Sequence, residues 1–221
     1  MNILCKICQK KRARRYCPGV QAEICPVCCG TERENTIDCP SACEYLQAAR
    51  LHEEHPPIVP EDLPNKDIRL TEDFVREHEY LFMWLALALA RSMEKEHAVD
   101  SDAREAMDAL IRTYRTRESG LIYETRPQNP FAAGIQEALQ ASTEELHKRI
   151  GEETGIHSLR DGDVMRTLVF LQRLEMQHSN GRRRGRAFFD FLQASFPAPA
   201  PSENVIAPSE NLIGPSENLI I

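Results

Sequence analysis

Between Cys43 and Ile221 the sequence has no cysteine, so the body of this 221-residue chain can rest on neither disulfides nor thiolate ligands. Aromatic residues make up only 6% and Trp84 is the single tryptophan, which leaves little material for a base-stacking platform. Long apolar runs are missing too. The longest, Tyr80 to Ala90, is flanked by Glu79 and Arg91; it is too short to span a bilayer and reads as a buried core helix, so no membrane contact is expected. Met1-Asn2-Ile3-Leu4 runs directly into Cys5 with no apolar leader, and the expected compartment is the cytoplasm. No Gly-rich phosphate loop, nucleophile elbow or paired-carboxylate signature occurs, and the expectation is a protein that is not an enzyme. Sustained period-two alternation is absent from the body, which argues against a sheet there.

What is present is concentrated at the start. All eight cysteines lie between Cys5 and Cys43: Cys5-x2-Cys8, Cys17, Cys25-x2-Cys28 with Cys29 adjacent, and Cys39-x3-Cys43. In a reducing compartment, clustered cysteines are metal ligands more often than disulfides. Four thiolates complete one tetrahedral Zn²⁺, so eight suit two zinc ions. The Cys-x2-Cys turns bring two thiolates to one metal, and Cys43 opens a short helix whose N-terminus favours a thiolate. The favoured pairing puts Cys5, Cys8, Cys25 and Cys28 around one zinc and Cys17, Cys29, Cys39 and Cys43 around the other; an interleaved alternative exchanges Cys28 and Cys29. An iron–sulfur cluster takes the same ligand type, but knuckle pairs favour zinc.

Cys5-x2-Cys8, Tyr16-Cys17-Pro18 and Cys25-x2-Cys28 resemble the treble-clef or cross-brace zinc fingers, notably the HIT type, in which knuckle pairs alternate between two metals. That resemblance implies a structural module that binds proteins or nucleic acid without catalysis. It covers about a fifth of the chain. Cys17 lacks a nearby knuckle partner, and Cys39 and Cys43 stand where the HIT pattern has a His-Cys pair. The run from Cys25 to Leu46, with Tyr114 to Gly120, is similar to uncharacterised bacterial proteins, a resemblance that implies no function.

Net charge is −7, unevenly spread: residues 1–50 hold 8 Lys+Arg against 5 Asp+Glu, while the rest of the chain is strongly acidic. Lys10, Lys11, Arg12, Arg14 and Arg15 fall on the stretch between Cys8 and Cys17. Cations on a loop pinned by metal ligands suit phosphate contact, with RNA or an anionic protein as partner; docking on the chain's own acidic body is the competing reading. A second patch, Arg182, Arg183, Arg184 and Arg186, lies where a helix start is expected. The macrodipole disfavours cations there, so either nucleic-acid phosphates or carboxylates such as Glu175 and Asp190 must offset them.

The fold class expected is mainly α: a small double-zinc module with its exit helix over 1–54, a Pro-rich linker over 55–69, an α-helical bundle over 70–196 and a disordered tail over 197–221. Helices are read from Thr71 or Glu72 to about Ala98, from Ser101 or Asp102, from Asn129-Pro130, from Ser158 with Asp161 as a capping box, and from about Gly185 to Pro197. Glu118 to Asn129 reads as a loop with a short extended piece at Leu121 to Tyr123. Glu94/His97, Glu144/His147 and Glu175/His178 have the Glu-x-x-His spacing of di-iron bundles, an alternative reading that would make the chain a rubrerythrin-like metalloprotein. Their late, polar placement speaks for solvated helix ends instead, and His78 reads as a surface or core histidine. The tail carries Pro-Ser-Glu-Asn-Val/Leu-Ile three times, from Pro201, Pro208 and Pro215. A proline in every unit forbids a continuous helix, and the units read as linear motifs for an unknown receptor, so a docking or cargo protein is the other alternative.

Overall fold

The structure is a computed structural model and describes residues 3–53, 59–154 and 159–197. Within them lie two short strands and eight α-helices. β1 (Arg15–Cys17) and β2 (Ala22–Ile24) form an antiparallel hairpin, with Tyr16 opposite Glu23. The turn between them is tight at Gly19, where a Cβ would stand 2.4 Å from the Asp38 carbonyl oxygen. α1 (Pro26–Glu32) starts on Cys25 as N-cap, with Pro26 in the first turn, and α2 (Glu44–Arg50) starts on Cys43. Proline supplies the helical φ at a position whose N–H needs no partner.

The module's interior is built largely of sulfur. Its buried apolar residues are Cys5, Cys17, Cys25, Cys28, Cys29 and Cys39 with only Ile24, Ile37 and Leu46 beside them. Three aliphatic side chains bury too little surface to hold some fifty residues together at about 25 cal/mol per Å². A metal ion crosslinking the sulfurs would add to the module's stability.

The body is a helical bundle with its own core. α3 (Glu72–Glu77) is capped by Thr71, whose hydroxyl accepts from the Phe74 N–H at 3.2 Å. α4 (Glu79–Lys95) follows, so the single helix expected over this stretch is divided at His78. His78 leaves the helical region at φ −114°, and its Nδ1 lies 3.0 Å from the Phe74 carbonyl. α5 (Asp100–Glu118), α6 (Pro130–Thr154), α7 (Asp161–His178) and α8 (Ala187–Ser195) complete it. α5 starts at Asp100 because the Asp102 carboxylate turns back to the Val99 N–H at 2.9 Å. α5 packs on α7 and α6, and α4 packs on α6. Leu85, Leu89, Met107, Leu110, Ile135 and Leu139 are buried at the centre. The Trp84 indole donates to the Ser142 carbonyl at 2.9 Å and carries the Arg149 guanidinium over its ring at 4.9 Å. No strand occurs at Leu121 to Tyr123; the segment is exposed and is tied to α5 by the Thr116 hydroxyl, which donates to the Tyr123 carbonyl. No helix among the described residues is long and apolar enough to cross a membrane. The expected cap at Ser158 and the three tail repeats lie outside the described residues.

The described part of the linker is bound to the bundle. Arg173 donates to the carbonyls of Pro64, Asn65 and Ile68, and Arg115 reaches Asn65 and Asp67, strapping the described part of the linker to α5 and α7. The module itself docks through Glu34, which is fully buried at the left-handed φ of 52°. Its carboxylate accepts from Arg50 at 2.7 Å, from Asn180 at 2.8 Å and from the Arg186 N–H at 3.1 Å, and its carbonyl accepts from the Arg184 N–H at 2.7 Å. Arg50 also pairs with Asp190 of α8, and Ser41 donates to the same carboxylate.

Candidate metal centre

Cys5, Cys8, Cys25 and Cys28 each offer a sulfur, and the four atoms lie within 4.8 Å of one another. Cys8 Sγ and Cys25 Sγ are 4.0 Å apart, close to the separation of about 3.8 Å that tetrahedral Zn–S bonds of ~2.3 Å impose. Local structure sets this up. Cys5 is held by backbone bonds with Lys11 and Gln9, and the Lys6 N–H is anchored to the Glu23 carbonyl beside β2. Cys25 precedes α1, so the first helical N–H groups face its sulfur; that of Cys28 does so at 3.4 Å.

Three of the four thiols, those of Cys5, Cys8 and Cys28, are shifted from their ordinary range. Burial opposes ionisation of Cys5, but backbone N–H groups of Cys8, Cys25 and Ile7 outweigh it and bring the thiol down to about 6. Cys8 is lowered by the N–H groups of Lys10 and Lys11. Cys28 is pushed up to about 12 by burial and by the thiols of Cys25, Cys8 and Cys5. The Cys5 thiol is thus biased toward thiolate and the Cys28 thiol away from it, and a cation among the sulfurs would offset the repulsion. An all-sulfur, mostly buried set of four donors could hold a metal ion, and its chemistry fits Zn²⁺, which four thiolates complete in structural sites.

Cys17, Cys29, Cys39 and Cys43 line a second, very small cavity between β1, α1 and the start of α2, with free space of about 10 Å³. Their sulfurs do not form a group within 4.8 Å of one another; among the described residues only the first quartet does. Cys39 is raised mainly by burial, with Cys17, Glu34 and Cys43 adding negative charge. Arg15 Nη1 stands 3.6 Å from Cys29 Sγ and Arg33 Nη2 3.9 Å from it. No disulfide links any of the eight cysteines.

The basic residues divide into two kinds. Lys10, Lys11, Arg12 and Arg14 are exposed, as is Lys6, and none makes an ion pair among the described residues. Arg15 is turned inward, its guanidinium over the Tyr45 ring at 4.4 Å. In the second patch Arg186 donates to the carbonyls of His97 and Ala98 and pairs with Asp38 at 3.1 Å. Arg182 donates to the Arg33 carbonyl at 2.7 Å. Arg183 and Arg184 are exposed. The patch ends at Arg186, the N-cap of α8, where the pairing with Asp38 offsets the repulsion expected from the macrodipole. Its partners are module groups that sequence reasoning missed, Glu34 and Asp38, and not Glu175. Nothing in the local pattern of Arg33-Glu34-Asn35 marks Glu34 as buried; its left-handed φ, uncommon for a glutamate, is visible only in the structure.

Glu175, expected at a solvated end, is fully buried and holds Arg104 through two bonds of 2.7 Å. His178 stacks on Phe191 with ring centroids 3.6 Å apart. Glu94/His97 and Glu144/His147 join no metal-competent group among the described residues. Compared with protein-family models, with curated proteins and with solved structures, the chain matches none.

Proposed function

We propose that this chain is a non-enzymatic adaptor: a two-zinc module, fixed rigidly on a helical bundle, that presents the basic stretch from Lys6 to Arg14 to the phosphates of single-stranded RNA. The observation that carries the reading is the group of exposed cations on the turn that carries Cys5 and Cys8. Arg15, Arg182 and Arg186 are consumed by internal partners, whereas Lys6, Lys10, Lys11, Arg12 and Arg14 stand exposed around a metal-pinned turn. Unpaired cations on a rigid frame bind polyanions without an ordering cost, by counterion release. Few exposed aromatics accompany them, which favours backbone contact over base reading.

The second zinc belongs to this reading. Cys17, Cys29, Cys39 and Cys43 line one cavity the size of a single water-sized sphere, and four thiols around so small a space are suited to a bare ion. Arg15 and Arg33 beside Cys29 would offset part of the charge of a four-thiolate site.

Two measurements on the full chain test the proposal. Elemental analysis should find about two zinc per chain; one zinc removes the second site, and stoichiometric iron overturns the reading. Fluorescence anisotropy with a single-stranded RNA should show binding that weakens steeply with salt. Lys10→Glu, Lys11→Glu and Arg12→Glu together should abolish it at unchanged zinc content. Retention of RNA by that variant, or no binding by the parent at low salt, would sink the RNA role.

A further inference from the structure

The face of the module that carries the cations is also apolar. Ile3, Leu4, Ile7 and Val27 are 38–58% exposed. Ile7 and Val27 each stand one residue before a cysteine of the first quartet, so both border the same four-sulfur group. Leu4 pairs with Arg12 in an isolated bridge, and the Ile3 carbonyl accepts from the Ala13 N–H at 2.9 Å. Along the chain Leu4 and Ile7 alternate with Lys6 and Lys10, and the bridge sets Leu4 opposite Arg12. From Ile3 to Arg15 there is no acidic residue. RNA phosphates would use the cations of this face and leave the aliphatic side chains without a role.

A segment with the complementary chemistry exists in the same chain. Residues 198–221 contain Glu203, Glu210 and Glu217 and no Lys, Arg or His. Each glutamate is followed, two residues on, by an aliphatic pair: Val205-Ile206, Leu212-Ile213 and Leu219-Ile220. An acid and an aliphatic pair at fixed spacing, offered three times, match a face of cations and aliphatics. Length allows the contact. Beyond Pro197 these residues could extend about 75 Å at ~3.1 Å per residue, against a radius of gyration of about 16 Å for a compact body of the described size. The described residues end at Pro197, just after α8, the helix that touches the module through Asp190.

We infer that the Pro-Ser-Glu-Asn-Val/Leu-Ile repeats are an internal ligand of the zinc module: one repeat at a time sets its aliphatic pair against Ile7 and Val27 and its glutamate against Lys6, Lys10 or Lys11. Tethering makes the local concentration of each repeat about millimolar, so weak individual contacts suffice, and three copies raise the occupancy. The repeats then compete with any anionic partner for the same cations and set a threshold for its binding. The contact itself does not depend on RNA being that partner.

The test uses the full-length, zinc-loaded chain. Amide spectra are compared between the parent and a variant with Val205→Ser, Ile206→Ser, Leu212→Ser, Ile213→Ser, Leu219→Ser and Ile220→Ser. Shift changes at Lys6, Ile7, Lys10, Lys11 and Val27, with an unchanged bundle, are expected, and Glu203→Lys with Glu210→Lys and Glu217→Lys should reproduce them. A silent module, changes on another surface, or changes that grow with protein concentration overturn the inference, the last because the repeats would then dock between copies. The serine variant should also bind RNA about two- to tenfold more tightly than the parent. If neither chain binds RNA, the proposed partner fails while the amide shifts still decide the internal contact.

Discussion

Glu34 and Arg50 meet at 2.7 Å inside the joint between the metal module and the bundle, the glutamate side chain 1% exposed and the arginine 16%. Both belong to the module, and each also reaches across. Glu34 takes Asn180 and the Arg186 N–H, and Arg50 takes Asp190. The pair is therefore the inner half of a charge network that orients one unit on the other.

Removing the charge of Glu34 should loosen the joint without emptying the first metal site. Glu34→Gln leaves Arg50 buried with Asp190 alone and is expected to cost about 3 kcal/mol in urea denaturation. Amide exchange at Arg184 and Arg186 should accelerate while zinc content stays constant. A double-mutant cycle with Arg50→Met should give a coupling above about 1 kcal/mol; additive losses would show that the two side chains act independently.

A second pair tests burial against pairing. Glu175 is fully buried and Arg104 is about half exposed, its guanidinium held charged by the bidentate hydrogen bonds. Arg104→Met strands a carboxylate in the core and should cost about 3–5 kcal/mol. Glu175→Gln leaves a guanidinium that water can reach, and should cost roughly 1–3 kcal/mol. The reverse order in chemical denaturation would mean that the arginine, not the glutamate, carries the desolvation cost.

The joint also contains an acid with a shifted titration. Burial raises Asp100 to about 7, against the pull of the Phe188 and Phe189 N–H groups, and Glu175 and Glu34 add repulsion. Between about pH 4, where a free aspartate ionises, and pH 7, the folded chain keeps a proton that the unfolded chain releases. Stability from this group is thus fully present below about pH 4 and is lost as pH rises to about 7, by on the order of 4 kcal/mol. Acid release of zinc acts in the opposite direction, so the comparison is made with Asp100→Asn at saturating zinc. Between about pH 5 and 7.5, denaturation followed by far-UV circular dichroism should show the parent losing stability relative to the variant; parallel curves would remove Asp100 from the titration.

Much of the bundle was legible because local signals decide it. Asn129-Pro130 starts α6, Thr71 caps α3, and the apolar spacing of Met107, Leu110, Ile111 and Tyr114 places the buried side of α5. The first quartet was legible from knuckle spacing alone, since a two-residue turn leaves two thiols little choice of direction. Long-range relations were not. The break at His78 is accompanied by an edge-on contact of Phe74 on Phe82 that the helical pattern does not show, and the role of Glu34 depends on Asn180, 146 residues along the chain. For the cations of residues 182–186 the sequence leaves both phosphates and internal carboxylates open, because it shows charge and not its partner. Cys17, Cys29, Cys39 and Cys43 come from three separate segments and line one small cavity, and across such segments spacing carries less information than in a knuckle.

Trp84 sits on α4 with its indole bonded to α6, far in sequence from every cysteine. The two halves of the molecule therefore differ optically as well as chemically. Indole emission follows the bundle, while thiolate-to-metal absorption of a cobalt-substituted protein would follow the module. The order in which metal loss and helix melting occur can be watched in one sample, with no label added.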